Sequence, residues 1–175
     1  MKKTKKLTLA AMMAALGTVF LIIGANIEAL DLAMGAVASI IMVFVYIELK
    51  SPYTWLVWLV TATLALLLGT ANLLSGAWYL TLFGIWPILK GYIERLPRAI
   101  WLLPKLLYAN FSFGAVIGTW YLIFKVSPFA IDALWLKITA LVVGNFAFII
   151  YDMFVTAVAK VYLLKYQKRF SKLLK

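Results

Sequence analysis

Long apolar runs fill this chain, and short polar breaks separate them. A hydrocarbon core of about 30 Å needs about 20 helical residues to cross it. Six runs are of that order: residues 7–27, 30–49, 53–74, 77–93, 103–126 and 134–164. The pattern predicts an all-α polytopic membrane protein, one domain of six transmembrane helices covering residues 1–175. The last run is too long to lie wholly in lipid, so it should tilt or extend beyond the bilayer. The first run is longer than a secretory h-region, and no A-x-A site follows it, which predicts a permanent helix. Pro52 should start the third helix and Pro87 should kink the fourth. Pro97 and Pro104 bracket a short piece, residues 98–103, whose Arg, Trp and aliphatic side chains suit the membrane interface.

The breaks carry the topology. Lys2, Lys3, Lys5 and Lys6 precede the first run, and Lys50 follows the second. Lys90, Arg95, Arg98 and Lys105 surround the fourth break, and Lys165, Lys168, Arg169, Lys172 and Lys175 end the chain. Six spans put all of these on one side. The opposite breaks, 24–31, 69–77 and 126–135, have only Lys125 and Lys137 nearby. The positive-inside rule then predicts cytoplasmic N- and C-termini. It also accounts for the net charge of +11 without a nucleic-acid partner.

Composition narrows the chemistry. With 66% hydrophobic and 13% charged residues, the chain is neither disordered nor an ordinary soluble globule. Neither cysteine nor histidine occurs, which excludes disulfides, thiolate nucleophiles, iron–sulfur clusters and imidazole chemistry. No G-x-x-x-x-G-K-[ST], G-x-S-x-G, H-E-x-x-H or C-x-x-C is present. We therefore expect no catalytic residue, metal site or cofactor, and no enzyme.

Several intramembrane features are candidates for function. In the first run Ala10, Ala14, Gly17, Leu21 and Gly24 share one helix face, with Ala11 and Ala15 beside them. Small residues let helices approach closely in lipid, within the bundle or against a partner. Gly35-x-x-x-Ser39 and Gly114-x-x-x-Gly118, the latter preceded by Asn110, predict close crossings. Asp152 is the deepest carboxylate, about 8–10 Å inside the basic-side interface at about 1.5 Å per residue. It needs a partner there, and Lys160, Lys105 and Lys90 are candidates. The stripe Tyr79, Phe83, Trp86, Lys90 and Glu94 suggests an aromatic wall, in a pocket or in the core, and an i,i+4 ion pair. On the outer side Glu28, Asp31, Asn72, Ser75, Trp78, Tyr79, Asp132 and Trp135 should solvate the interface, with Trp and Tyr as belt residues. Trp78, Tyr79, Asn145, Trp135 and Asn72 are the candidate walls of an outward solute pocket.

The opening Lys5-Lys6-Leu7-Thr8-Leu9-Ala10-Ala11-Met12-Met13-Ala14-Ala15-Leu16-Gly17 resembles the start of a substrate-binding S component of the energy-coupling factor (ECF) vitamin transporters. The resemblance implies capture of a vitamin-like solute in the outward half of a six-helix bundle. A membrane scaffold subunit and two cytoplasmic ATPases would then drive release by toppling the bundle. It also implies that an A-x-x-x-A pair, here Ala10/Ala14 or Ala11/Ala15, meets the scaffold. The lack of an ATP motif agrees with that division of labour. The first outer break, 24–31, is shorter than the ligand-covering loop common in that family, and no riboflavin, thiamine, biotin or folate signature is present. Two alternatives stand beside this reading: a small secondary transporter using Asp152, and a membrane assembly protein that transports nothing.

Overall fold

The computed structural model describes residues 3–69, 72–125, 134–167 and 170. Lys2, Asp132, Lys168, Arg169, Lys172 and Lys175 lie outside these, as does the side chain of Glu28. The described residues are helical: α1 (Lys3–Asn26), α2 (Asp31–Glu48), α3 (Tyr53–Leu68), α4 (Leu73–Trp78), α5 (Trp86–Ile93), α6 (Leu102–Phe124) and α7 (Leu134–Val161). A π-helical turn, Tyr79–Phe83, joins α4 to α5, and another, Tyr162–Tyr166, extends α7. Five helical stretches are long and apolar enough to cross a membrane, counting Leu73–Ile93 as one, while α3 has 16 residues.

The core forms where small residues allow close approach. In α1, Ala10, Ala14, Gly17, Leu21 and Gly24 are buried. A Cβ on Gly17 would meet the Thr61 methyl of α3 at 3.1 Å, and the Thr61 hydroxyl donates to the Ala14 carbonyl at 3.4 Å. In α2, Ser39 is fully buried and Gly35 faces the Phe83 ring, 2.6 Å from where a Cβ would stand. That crossing is as close as its spacing predicts. The Gly114–Gly118 crossing is not: a Cβ at either position would meet nothing within 4 Å. These glycines turn away from the buried face of α6, which is Ala109, Ser112 and Val116.

The fourth apolar run departs most from a plain helix. It begins at Leu73, earlier than hydropathy suggests, because the Asn72 side chain accepts from the Leu74 N–H at 2.9 Å and caps α4. It then passes through the π turn and a break at Gly84–Ile85, with Pro87 in the first turn of α5. This is an interruption rather than a kink. Pro87 has no N–H to offer the Phe83 carbonyl, and backbone acceptors in a bilayer must find partners inside the protein. Side chains from three helices supply them. Tyr151 donates to Phe83 O at 3.3 Å, Trp58 to Leu80 O at 3.2 Å, and Ser112 to Thr81 O at 3.1 Å, joined there by the Tyr108 hydroxyl. The interruption therefore pins α3, α6 and α7 to one place.

Contacts define two ends of the bundle. Lys6 lies over the Tyr53 ring, Tyr162 donates to Glu48 at 2.9 Å, and Lys90, Lys105 and Asp152 meet. These residues form a basic end. Gly24, Asp31, Asn72 and Ser75 meet at the opposite end. Toward that end, α6 beyond Val116 and α7 before Phe148 are largely exposed.

Candidate functional site

The most concentrated chemistry lies near the basic end. On α7, Phe148, Tyr151, Asp152 and Val155 form the buried stripe, spaced three and four residues apart. That register turns Asp152 inward with its aromatic neighbours and leaves it 8% exposed. On α5, Trp86, Lys90 and Glu94 follow one another at i, i+4 and i+8. On α6, Lys105 stands in the first turn.

These three elements converge on the carboxylate. The Lys90 ammonium donates to Asp152 Oδ1, and Lys105 donates to Oδ2 at 2.6 Å. The Trp86 indole N–H adds a third donor to Oδ1 at 3.1 Å. Glu94 completes the group, 2.6 Å from Lys90 Nζ and 3.5 Å from Lys105 Nζ. Two ammoniums and two carboxylates sum to no net charge, which makes burial tolerable. Trp86 is fully buried, stacks on Tyr108 with centroids 5.3 Å apart, and meets Phe148 edge-on at 4.8 Å. Asp152 thereby ties α5, α6 and α7 together. A cleft of about 200 Å³ opens beside it, lined by Arg98, Trp101, Leu102, Lys105, Phe148, Ile149 and Asp152.

Of the three lysines considered for Asp152, the structure brings in Lys90 and Lys105 together and leaves Lys160 exposed. Lys90 and Glu94 do pair as i,i+4 neighbours. The aromatic stripe of the fourth run is core: Tyr79, Phe83 and Trp86 are all buried. What sequence reasoning missed is Trp86 as a donor, although its position four residues before Lys90 puts both on the face that meets Asp152.

The candidate solute residues have separate surroundings. Asn72 caps α4 and also donates to Asp31 Oδ2 at 3.2 Å. Trp78 packs edge-on against Phe113 at 5.7 Å, and Tyr79 lies in the core next to Gly84. Asn145 forms a reciprocal amide pair with Asn110, with N–O distances of 2.9 and 3.0 Å, across α6 and α7. Trp135 is 66% exposed near the start of α7. The small residues of α1 divide: Ala10 and Ala14 are buried, and Ala11 and Ala15 are exposed. Asp31 departs from the expectation that it solvates the interface: it is 8% exposed, and Oδ1 is buried without a partner among the described residues. Comparison of the chain with family models, with curated proteins and with solved structures finds no match.

Proposed function

We propose that the chain is a six-span protein of the cell membrane with both termini cytoplasmic, and that it captures a small vitamin-like solute for a separate ECF scaffold and ATPase module. The observation that carries this reading is the division of α1. One small pair, Ala10/Ala14, is buried within the bundle, with Ala14 meeting α3 through Thr61, and the other, Ala11/Ala15, is left on the exposed surface. Small exposed side chains allow a partner helix to come close in lipid. The resemblance of residues 5–17 to the S components names that partner as the scaffold. The basic end, with Lys6, Lys90, Lys105 and the run into Tyr162–Tyr166, supports the cytoplasmic assignment. At about 1.5 Å per residue, the 16 residues of α3 reach about 24 Å, and local thinning accommodates such a shortfall.

Transport through Asp152 has less support. Both of its oxygens already face ammonium groups, and an indole N–H occupies a further acceptor site. On this reading we place the solute pocket in the outward half, near Asn72, Asn145 and Trp135, since Trp78 and Tyr79 are packed in the core.

Co-purification tests the reading. Tagged chain from native membranes, solubilised gently, should bring down a membrane scaffold and an ATPase pair, identified by mass spectrometry. Replacing Ala11 and Ala15 by Leu should lower that recovery at least about tenfold, since branched side chains hold the helices apart. A monomer or homo-oligomer alone, from cells that contain scaffold and ATPases, overturns it.

A further inference from the structure

Two buried side-chain oxygens lack a partner among the described residues, the neutral Thr54 hydroxyl and Asp31 Oδ1, and only the second belongs to a carboxylate. Asp31 is the first residue of α2, 8% exposed. Oδ2 accepts from Asn72 Nδ2 at 3.2 Å, while Oδ1 is buried and has no hydrogen-bond partner. Among the described residues, every ion pair lies in the cluster of Lys90, Glu94, Lys105 and Asp152, and none reaches Asp31. The N-terminus of α2 offers only a partial positive charge, spread over several backbone groups. A buried carboxylate without a counter-charge is strongly disfavoured.

Around it stand the Asn72 amide nitrogen, which already donates to Oδ2, and several oxygens. The Asn72 carbonyl accepts one bond, from Leu74 N, and keeps a second lone pair. The Ser75 hydroxyl is near enough to the Asp31 carboxyl to offer it a weak hydrogen bond, but its donor is aimed at the Leu21 carbonyl at 3.4 Å, which leaves its lone pairs free. A Cβ on Gly24 would stand 2.9 Å from Met34 Cβ and 3.4 Å from both Ser75 Oγ and the Asp31 main-chain oxygen, so the glycine lets α1 pack closely against these groups. This is one carboxylate among neutral hard donors, without nitrogen or sulfur ligands. Oxygen sets of this kind suit hard cations, and a single carboxylate balances a single positive charge.

We propose that Asp31, Asn72 and Ser75 form a binding site for a monovalent cationic centre at the end of the bundle opposite the charge cluster. The centre is either a free alkali ion or the ammonium group of a bound solute. The site stands independently of the scaffold reading above.

The test is thermal unfolding of the detergent-purified chain, followed by tryptophan fluorescence at constant pH and ionic strength. Sodium, potassium or methylammonium chloride replaces N-methyl-D-glucamine chloride. The wild type should gain about 3–6 °C, saturably, in at least one of these salts. A response to sodium or potassium assigns a free ion, and a response to methylammonium alone assigns the amino group of a solute. Asp31→Asn should abolish the gain. Ser75→Ala removes one oxygen and no charge, should weaken the apparent affinity at least about tenfold, and keeps the test valid if Asp31→Asn does not fold. A wild type that responds to none of the salts overturns the site, including one stabilised only by lowering the pH, which assigns a proton instead. A gain unchanged in both variants also overturns it.

Discussion

Asp152 and Asp31 are equally buried, at 8% exposure each, and lie toward opposite ends of the bundle. Asp152 has two ammoniums and an indole N–H, and a second carboxylate balances the second lysine. Asp31 has one amide donor and a bare oxygen. The first is a closed group that holds three helices in register. The second leaves an acceptor open among the described residues, and that is where we place the proposed cationic centre. Equal burial therefore does not mean equal role. The partners distinguish a structural carboxylate from a ligand-seeking one, because the cost of burying a charge falls on whatever is left unpaired.

The largest expected effect comes from breaking each carboxylate in turn. Asp152→Asn leaves Lys90 and Lys105 sharing Glu94 alone, and stranding part of a buried ion network costs about 3–5 kcal/mol. Asp31→Asn removes a charge that had no counter-ion, so in alkali-free buffer it should cost under about 1 kcal/mol or stabilise. Unfolding of both variants in mixed micelles of detergent and dodecyl sulfate checks the contrast. Equal losses would mean that Asp31 has a counter-charge after all.

The two glycine motifs give the next contrast. Gly35→Ala drives a methyl to 2.6 Å from the Phe83 ring, which is itself wedged edge-on against Tyr151 at 5.1 Å. Overpacking of this kind costs about 1–3 kcal/mol. Gly114→Ala meets nothing within 4 Å, and alanine is the better helix former by about 1 kcal/mol. The same unfolding assay should show a lower midpoint for the first and an equal or higher one for the second.

Much of this was legible in the chain, for physical reasons. Apolar run length yields the helices, although the third ends at Leu68 rather than at 74 and the fourth starts at Leu73 rather than at 77. Asp152 stood out because a carboxylate inside an apolar run needs a partner, and few cations are near. Lys160 could have been set aside from spacing alone, since eight residues along one helix is about 12 Å, whereas the joint approach of Lys90 and Lys105 is visible only in three dimensions. Pro87 announced a disturbance, but the π turn depends on Trp58, Tyr108, Ser112 and Tyr151 meeting the released carbonyls, and tertiary packing sets that. Ala10/Ala14 and Ala11/Ala15 have identical spacing, so only the packing of α2 and α3 against α1 decides which pair is buried. Asp31 sits where a run begins, a position that reads as interface in any sequence. Its burial arises from α4 folding back over it through Asn72 and Ser75.

The smallest effect belongs to the amide pair between the two charged ends. Asn110 and Asn145 each donate to the other's carbonyl oxygen and each bond a carbonyl in the preceding turn, Leu106 and Leu141. Among the described residues this pair is the side-chain hydrogen bond that joins α6 to α7 between Asp152 and the far end of the span. Hydrogen bonds between transmembrane helices are worth about 0.6–2 kcal/mol, because each side chain finds other partners when the helices separate. Asn145→Leu should therefore lower stability by about 1 kcal/mol, and the Asn110→Leu, Asn145→Leu double variant by scarcely more, since the first change already removes the pair. A double-mutant cycle in the same micelles measures the coupling. Coupling near zero would leave the interrupted fourth run and the Asp152 cluster as the ties that hold α7 in place.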